Sequence, residues 1–138
     1  MSDTHATRQT QAASRGRALD VALWVLQVLL ALQFVMAGFL KVSGDPAMVD
    51  MFATIGIGQW FRYVVGALEL ASAVGVLIPR LSGLAALGLV CLMAGATLTN
   101  LFILGASPLV PIVQLVVSAL VAWGRWPRTR VLLDKLGR

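Results

Sequence analysis

The chain has 138 residues and a formal net charge of +5; 59% of its residues are hydrophobic and 12% are charged. A soluble domain carries about a quarter charged residues, so this composition excludes a disordered chain, a collagen-like chain and a typical soluble enzyme. The basic charge would suggest a nucleic-acid partner in a soluble protein, but the positions of the charges indicate a membrane protein that binds no nucleic acid.

The N-terminal part combines a polar tail with a first apolar segment. Residues 1–18 are rich in Ser, Thr, Gln, Ala and Arg, and we expect a disordered cytoplasmic tail there. Val21 to Leu40 contains no Asp, Glu, Lys or Arg, and about 20 such residues span a bilayer core. Because the apolar core of a signal peptide is shorter, about 7–15 residues, the pattern predicts a retained first span over residues 20–40.

The loop over residues 41–59 carries the signals of a short helix. Asp45 and Pro46 are typical of an N-cap followed by proline at the first helical position, and Gly56 ends the pattern. The apolar residues between these signals share one helical face: Met48, Met51, Phe52 and Ile55. We expect a short amphipathic outer-loop helix, which either lies on lipid or folds over the bundle.

Two apolar stretches follow the loop. Tyr63 to Pro79 contains one charge, Glu69, and Leu81 to Gly124 is a run of 44 residues without Asp, Glu, Lys or Arg. The longer run divides at residues 105–108, where Gly105 can end one helix and Ser107-Pro108 can begin the next. The predicted spans are therefore residues 60–79, 82–104 and 108–124.

These segments predict an all-α fold, an integral membrane bundle of four transmembrane helices within residues 19–126. Residues 127–138 form a basic interfacial tail that suits anionic lipid. Nine of the 11 Lys and Arg residues lie on the side of the two termini, and Lys41 and Arg62 lie on the other. Basic residues concentrate on the cytoplasmic side. We therefore expect both termini in the cytoplasm, a bacterial-type inner membrane and the lipid bilayer as the immediate partner.

Polar residues inside the predicted spans are the candidate site. A charged carboxylate at the bilayer centre costs about 2.5–3.5 kcal/mol and marks a functional site by default, which singles out Glu69. Each span places a polar side chain in the outer half of the membrane, and Lys41 lies at the outer rim, where it could pair with Glu69. The ligand-binding candidates are Glu69, Lys41, Gln33, Asn100, Gln114 and Thr97. The alternative is that these groups only hydrogen-bond between helices.

Small residues recur at helical spacing within the spans. Such stripes let helices approach closely, either within one chain or between protomers. The candidate packing positions are Gly38, Gly66, Ala67, Ala71, Gly75 and Gly95. They predict a tight bundle with a polar pocket that opens outward.

The sequence does not contain the residues that several kinds of functional site require. Cys91 is the single cysteine and His5, in the tail, the single histidine. An intramolecular disulfide, a cysteine zinc site and bis-histidine haem are therefore excluded, and we expect no metal site. No nucleotide-binding loop is present. The chain has no self-contained catalytic motif and no intrinsic cofactor, so an enzymatic role would be that of an accessory subunit.

An ordered set of motifs resembles the DoxX-like family over residues 24–122. The set comprises Phe34-Val35-Met36-Ala37-Gly38-Phe39-Leu40-Lys41, then Phe52 and Gly56 in the outer helix, then Gly66-Ala67-Leu68-Glu69-Leu70 and Leu77-Ile78-Pro79-Arg80. The resemblance implies a four-helix membrane protein. The family takes its name from a subunit of a thiosulfate:quinone oxidoreductase, which implies redox work near quinone. The carried-over positions are Gly38, Lys41, Gly66 and Glu69.

Three functions are open at this point. The first is a small quinone- or lipophile-binding subunit of a membrane redox system, with an oxidoreductase as partner and an outward pocket around Glu69. The second is a structural or assembly partner of another membrane protein, or of a second copy of the chain. The third is a small proton-coupled transporter. Fold analogy alone does not choose among them.

Overall fold

The computed structural model describes residues 2–137 and contains six α-helices. A π-helical turn, Asn100–Leu104, continues the fourth helix, and no strand occurs within residues 2–137. The all-α prediction is therefore confirmed. The helices are α1 (Ser2–Ser43), α2 (Pro46–Ile55), α3 (Gln59–Leu77), α4 (Ser82–Thr99), α5 (Leu109–Gly124) and α6 (Trp126–Leu136).

Three helices within the described residues are long and apolar enough to cross a membrane: α1, α3, and α4 with its π-helical turn. Helix α5 has 16 residues, and it makes a fourth span only together with α6, from which it is bent by 67°. The bounds of α3, α4 and α5 lie within two residues of the predicted spans at most ends. The count of four transmembrane helices stays a prediction.

Helix α1 differs from the expectation at its start. It begins at Ser2, so the segment predicted as a disordered tail is helical in the structure. The segment contains Ala, Gln and Arg, which are good helix formers, and the Thr10 hydroxyl donates to the Ala6 carbonyl oxygen at 2.9 Å. Its described side chains are exposed.

Helices α1 and α3 cross closely at Gly38 and Gly66. A Cβ atom on Gly38 would lie 2.8 Å from the Gly66 carbonyl oxygen, and one on Gly66 would lie 3.0 Å from the Cβ of Lys41. Both distances are too short for a side chain, so glycine is required on each helix. This crossing brings the last turn of α1, with Lys41, directly against α3.

Helices α3 and α4 approach at one end and separate at the other. Near their connection, a Cβ on Gly75 would lie 2.9 Å from the Cβ of Ala85, whereas nothing lies within 4 Å of a Cβ on Gly95. Ala67 and Ala71 are exposed. The packing prediction therefore fits Gly38, Gly66 and Gly75. At the other three positions the structure has no helix close by, because α4 has already separated from α3.

The short helix α2 follows its sequence signals. The backbone N–H of Ala47 donates to Asp45 Oδ2 at 3.2 Å, Pro46 occupies the first position, and Gly56 ends the helix at φ +83°. Phe52 is buried and packs edge-on against Phe61 of α3, with ring centroids 5.8 Å apart. Helix α2 thus folds over the bundle, and we call its end of the bundle the α2 end and the opposite one the α6 end.

Candidate functional site

A cavity of about 720 Å³ lies at the α2 end. Its size falls in the range of ligand pockets, about 300–1,000 Å³. Most of its lining is apolar and comes from every helix except α6. The apolar side chains include Phe34, Met51, Phe52, Ile55, Phe61, Leu68, Leu92 and Met93, and the polar ones are Lys41, Glu69, Ser72, Thr99, Asn100 and Gln114.

Lys41 and Glu69 form an ion pair in the wall of this cavity. Lys41 Nζ lies 3.1 Å from Glu69 Oε2, and the two side chains are 13% and 3% exposed. The close approach of α1 and α3 at Gly38 and Gly66 permits this contact, because it places the backbone of Lys41 directly against α3. The pair suggested by the sequence is therefore present.

The ion pair leaves hydrogen-bonding capacity unused. Glu69 Oε2 accepts from Lys41, while Oε1 has no partner among residues 2–137. No buried side-chain oxygen or nitrogen in that range lacks a partner, so Oε1 is accessible from the cavity that Glu69 lines. The Lys41 ammonium has three N–H donors, and one of them is used. A ligand in the cavity could therefore accept a hydrogen bond from Lys41 and donate one to Glu69.

Asn100 and Gln114 also line the cavity, as predicted, but they differ in what they bind. The Asn100 side chain donates from Nδ2 to the Ser107 carbonyl oxygen at 3.0 Å and so fixes the turn after the π-helical segment. The Gln114 side chain has no hydrogen-bond partner within the described part of the chain. Its amide is thus a second free polar group facing the same space.

Two predicted residues lie elsewhere. Gln33 is exposed and does not line the cavity. Eight residues turn a helix through about 800°, so Gln33 lies about 80° around α1 from Lys41. Thr97 also stays out of the lining, and its hydroxyl donates to the Met93 carbonyl oxygen of its own helix at 2.7 Å. A threonine bonded in this way needs no further partner.

Arg62 is a buried residue that the sequence did not single out as part of the site. Its Nη1 donates to the Lys41 carbonyl oxygen at the end of α1, and its Nε donates to Gln59 Oε1 at 2.8 Å. Its guanidinium lies 4.3 Å from the centre of the Tyr63 ring. Arg62 therefore fixes the turn that carries Lys41. The available signal was that Arg62 and Lys41 are the two basic residues on that side of the membrane.

Gln59 extends this contact to α2. Its Nε2 donates to the Val49 carbonyl oxygen of α2 at 3.0 Å, while its Oε1 accepts from Arg62. A continuous series of hydrogen bonds thus runs from the α2 backbone through Gln59 and Arg62 to the backbone of Lys41. The position of α2 over the cavity and the position of the ion pair are fixed by the same bonds.

The cavity is open where α3 and α4 have separated. Leu68 of α3 and Cys91 and Gly95 of α4 line the cavity and are also exposed. The sequence had suggested that Gly95 packs against another helix. The stripe of small residues instead leaves a lateral opening, because no side chain reaches across from α3.

A second polar cluster lies at the α6 end. Arg125 donates from Nε to Gln27 Oε1 at 2.8 Å and from Nη1 to Asp20 Oδ1 at 2.7 Å. Gln27 is fully buried and donates to the Val76 carbonyl oxygen at 2.8 Å. The Arg125 guanidinium also lies 5.7 Å from the centre of the Trp24 ring. Gln27 thus joins α1, α3 and the α5–α6 junction.

Comparison with known proteins adds the family. A model of the DoxX-like family matches residues 25–123, which include the cavity, its ion pair and Gln27. The chain belongs to the DoxX-like family. The match confirms the resemblance in the sequence, and together with the apolar helices it identifies a multi-pass membrane protein. Comparisons with curated proteins and with solved structures give no match.

Within the described residues, no group of three His, Cys, Asp or Glu side chains could hold a metal ion. The polar groups that line the cavity in this DoxX-like chain are one carboxylate, one ammonium, the Cys91 thiol, and neutral amides and hydroxyls. Such groups bind and orient a polar head by hydrogen bonds and charge.

Proposed function

We propose that this DoxX-like protein binds a small lipophile with a polar head, such as a quinone, as a subunit of a membrane redox system. One observation carries the proposal: an apolar cavity has at its wall an ion pair whose remaining donors and acceptor face the cavity. An apolar pocket with a few convergent polar groups is the usual form of a small-molecule site.

The free groups fit both forms of a quinone. A carbonyl oxygen of the oxidised form can accept from Lys41 Nζ, and a hydroxyl of the reduced form can donate to Glu69 Oε1. The free Gln114 amide can donate or accept. When bound, a quinone supplies two-electron, two-proton chemistry, and an oxidoreductase partner would exchange those electrons. The role of this chain is to hold and orient the head group.

The charge balance of the cavity favours a neutral ligand. Glu69 and Lys41 are the charged residues of the lining, and they neutralise each other. An anionic ligand would have to displace Glu69 from Lys41, and a cationic one would have to displace Lys41 from Glu69. Either exchange would expose one buried charge to an apolar surrounding, which is costly.

The lateral opening fits a ligand that arrives from the lipid phase. The opening at Leu68, Cys91 and Gly95 lies between two helices that are apolar enough to span a membrane. We place both termini in the cytoplasm of a bacterial-type inner membrane, because most Lys and Arg residues lie on the side of the termini. The cavity and α2 then lie in the outer half of the membrane and on its outer surface.

The test compares the wild type with the double variant Lys41→Met/Glu69→Leu. Replacing a buried ion pair by apolar residues of similar volume is often neutral for stability, so the double variant should fold. Lipid extracted from the purified wild type should contain quinone, and the wild type should melt at a higher temperature when decylubiquinone is added. The double variant should lose both effects, because its affinity falls at least about tenfold when charge-assisted hydrogen bonds are removed.

Gln33→Leu is the matched control. Gln33 lies in the same helix as Lys41 but is exposed outside the cavity, so this variant should bind decylubiquinone like the wild type. Equal quinone content in wild type and double variant, with no change in melting temperature on adding decylubiquinone, would contradict the proposal.

A role as an assembly partner is a second candidate, and exposed small residues on α3 favour it. Ala67 and Ala71 are exposed, and they lie one turn apart, as in surfaces where membrane helices approach closely. Ala67→Leu/Ala71→Leu should then abolish co-purification of a membrane partner or of a second copy while leaving decylubiquinone binding intact. Unchanged co-purification would reject this role for the two alanines.

A further inference from the structure

A second cavity lies at the opposite end of the molecule. It is a groove of about 400 Å³ between the α3–α4 connection and α6. Its walls are Pro79, Arg80, Pro127, Arg128, Val131, Leu132 and Lys135. This site is independent of the proposed lipophile site, because the two cavities share no residue.

The groove is held in shape by a close contact between α4 and α6. A Cβ on Gly83 would collide with the Thr129 hydroxyl and would lie 3.1 Å from the Arg125 carbonyl oxygen. Ser82 and Thr129 are buried at this contact. The start of α6 is therefore fixed against the start of α4, and Arg80 stands beside α6 although the two are far apart in the chain.

All charged side chains that line the groove are basic. Arg80, Arg128 and Lys135 line it, and none of the lining residues is acidic. Within residues 2–137, Arg80 and Lys135 form no ion pair, and the one carboxylate near Arg128 is Asp20, 3.7 Å away and also bound to Arg125 at 2.7 Å. Clefts lined by one sign of charge concentrate ions of the opposite sign, so the groove favours an anion.

The apolar part of the groove indicates what the anion is attached to. Arg128, Val131, Leu132 and Lys135 repeat at the spacing of one helical face, so two aliphatic side chains lie between two cations. Val131 is 55% exposed, and the nearby Trp123 and Trp126 are exposed as well. Tryptophan is enriched at the membrane–water interface. The groove therefore combines charge for a phosphate with apolar contact for an acyl chain at that interface.

We propose that this groove is a binding site for the head group of an anionic phospholipid from the leaflet next to α6. The guanidinium of Arg80 and that of Arg128 can each hold phosphate oxygens through two N–H donors, and Lys135 adds a third cation. The upper acyl segment lies on Val131 and Leu132. Arg80 distinguishes this site from general attraction of a basic tail, since it comes from a different part of the chain.

The test uses charge-matched variants in nanodiscs and in detergent. Arg80→Gln and Lys135→Gln each remove one groove cation, and Arg130→Gln removes one cation from the same helix outside the groove. Native mass spectrometry would measure retention of phosphatidylglycerol relative to phosphatidylcholine. Each groove variant should bind phosphatidylglycerol about fivefold more weakly, since one basic residue near a surface contributes about that factor. Arg130→Gln should bind like the wild type, and Arg80→Lys, which keeps the charge but loses the paired N–H donors, should bind between the wild type and Arg80→Gln.

Each remaining outcome overturns the proposal. An equal loss in Arg130→Gln would show that net charge alone attracts the lipid. Displacement of phosphatidylglycerol by millimolar inorganic phosphate would show a free-anion site. All variants should melt like the wild type in detergent without phosphatidylglycerol, because Arg80 and Lys135 are exposed, so a loss of lipid binding reports the groove and not the fold.

Discussion

Each end of the bundle contains a basic side chain, a carboxylate and a glutamine amide, but the two sets are bonded differently. At the α6 end, Arg125 contacts Gln27 and Asp20, and Gln27 contacts Val76, so the polar groups bond to one another. At the α2 end, one bond joins Lys41 to Glu69, and Gln114 has no partner within residues 2–137. A saturated cluster stabilises the fold, whereas unsaturated groups beside a cavity are available to a ligand.

The largest expected effect comes from breaking the saturated cluster. Arg125→Met removes the cation that both Asp20 and the buried Gln27 contact. The variant leaves the buried Gln27 Oε1 without its donor, which costs about 1–3 kcal/mol, and it also loses the bond between Arg125 and Asp20. We expect the variant to unfold far more readily in a denaturation series in detergent micelles, with Arg130→Met, at an exposed position of the neighbouring helix, close to the wild type. If the two variants had equal stability, the cluster at the α6 end would have no structural role.

A smaller effect is expected at two glycines near the α2 end that differ in helix packing. Gly38→Ala would place a methyl group 2.8 Å from the Gly66 carbonyl oxygen and from Leu70 Cγ. Overpacking of this kind costs about 1–3 kcal/mol. Gly95→Ala makes the same chemical change with nothing within 4 Å, so its unfolding should match the wild type. A stability loss in Gly95→Ala equal to that in Gly38→Ala would contradict the lateral opening between α3 and α4.

The smallest effect should arise from one free amide at the α2 end. Gln114→Leu removes a hydrogen bond to the ligand without creating an unpaired buried charge, so stability should be unchanged and decylubiquinone should bind about fivefold more weakly. Gln33→Leu is the same substitution outside the cavity and should leave binding unaffected. Titration of tryptophan fluorescence with decylubiquinone measures both. Equal affinities in the two variants would remove Gln114 from the site.

Much of the fold and part of the candidate site could be predicted from the sequence. The absence of charges gave the positions of α3, α4 and α5 within a few residues, because a run of about 20 apolar residues has few alternatives to a membrane helix. Glu69 could be selected because an intramembrane carboxylate is costly. The partnership with Lys41 followed from the position of that residue at the rim, although the sequence could not show that two glycines bring it into contact.

The other residues could not be predicted correctly because their contacts depend on the geometry of the folded helices. Arg125 and Asp20 lie at the ends of apolar runs, where a charge normally contacts water or lipid head groups, so the bonds of Arg125 to Gln27 and to Asp20 were not expected. Gln33 was assigned to the pocket because the first span places it in the outer half of the membrane, but the rotation of the helix carries it about 80° away from Lys41. Whether small residues meet another helix, as Gly75 does, or face open space, as Gly95 does, depends on how far two helices diverge.

The hydrogen bonds that connect α2 to Lys41 through Gln59 and Arg62 couple the position of α2 mechanically to the ion pair. A displacement of α2 would pull on the backbone of Lys41 and alter its alignment with Glu69. The short helix and the charged pair in the cavity wall therefore move as one unit.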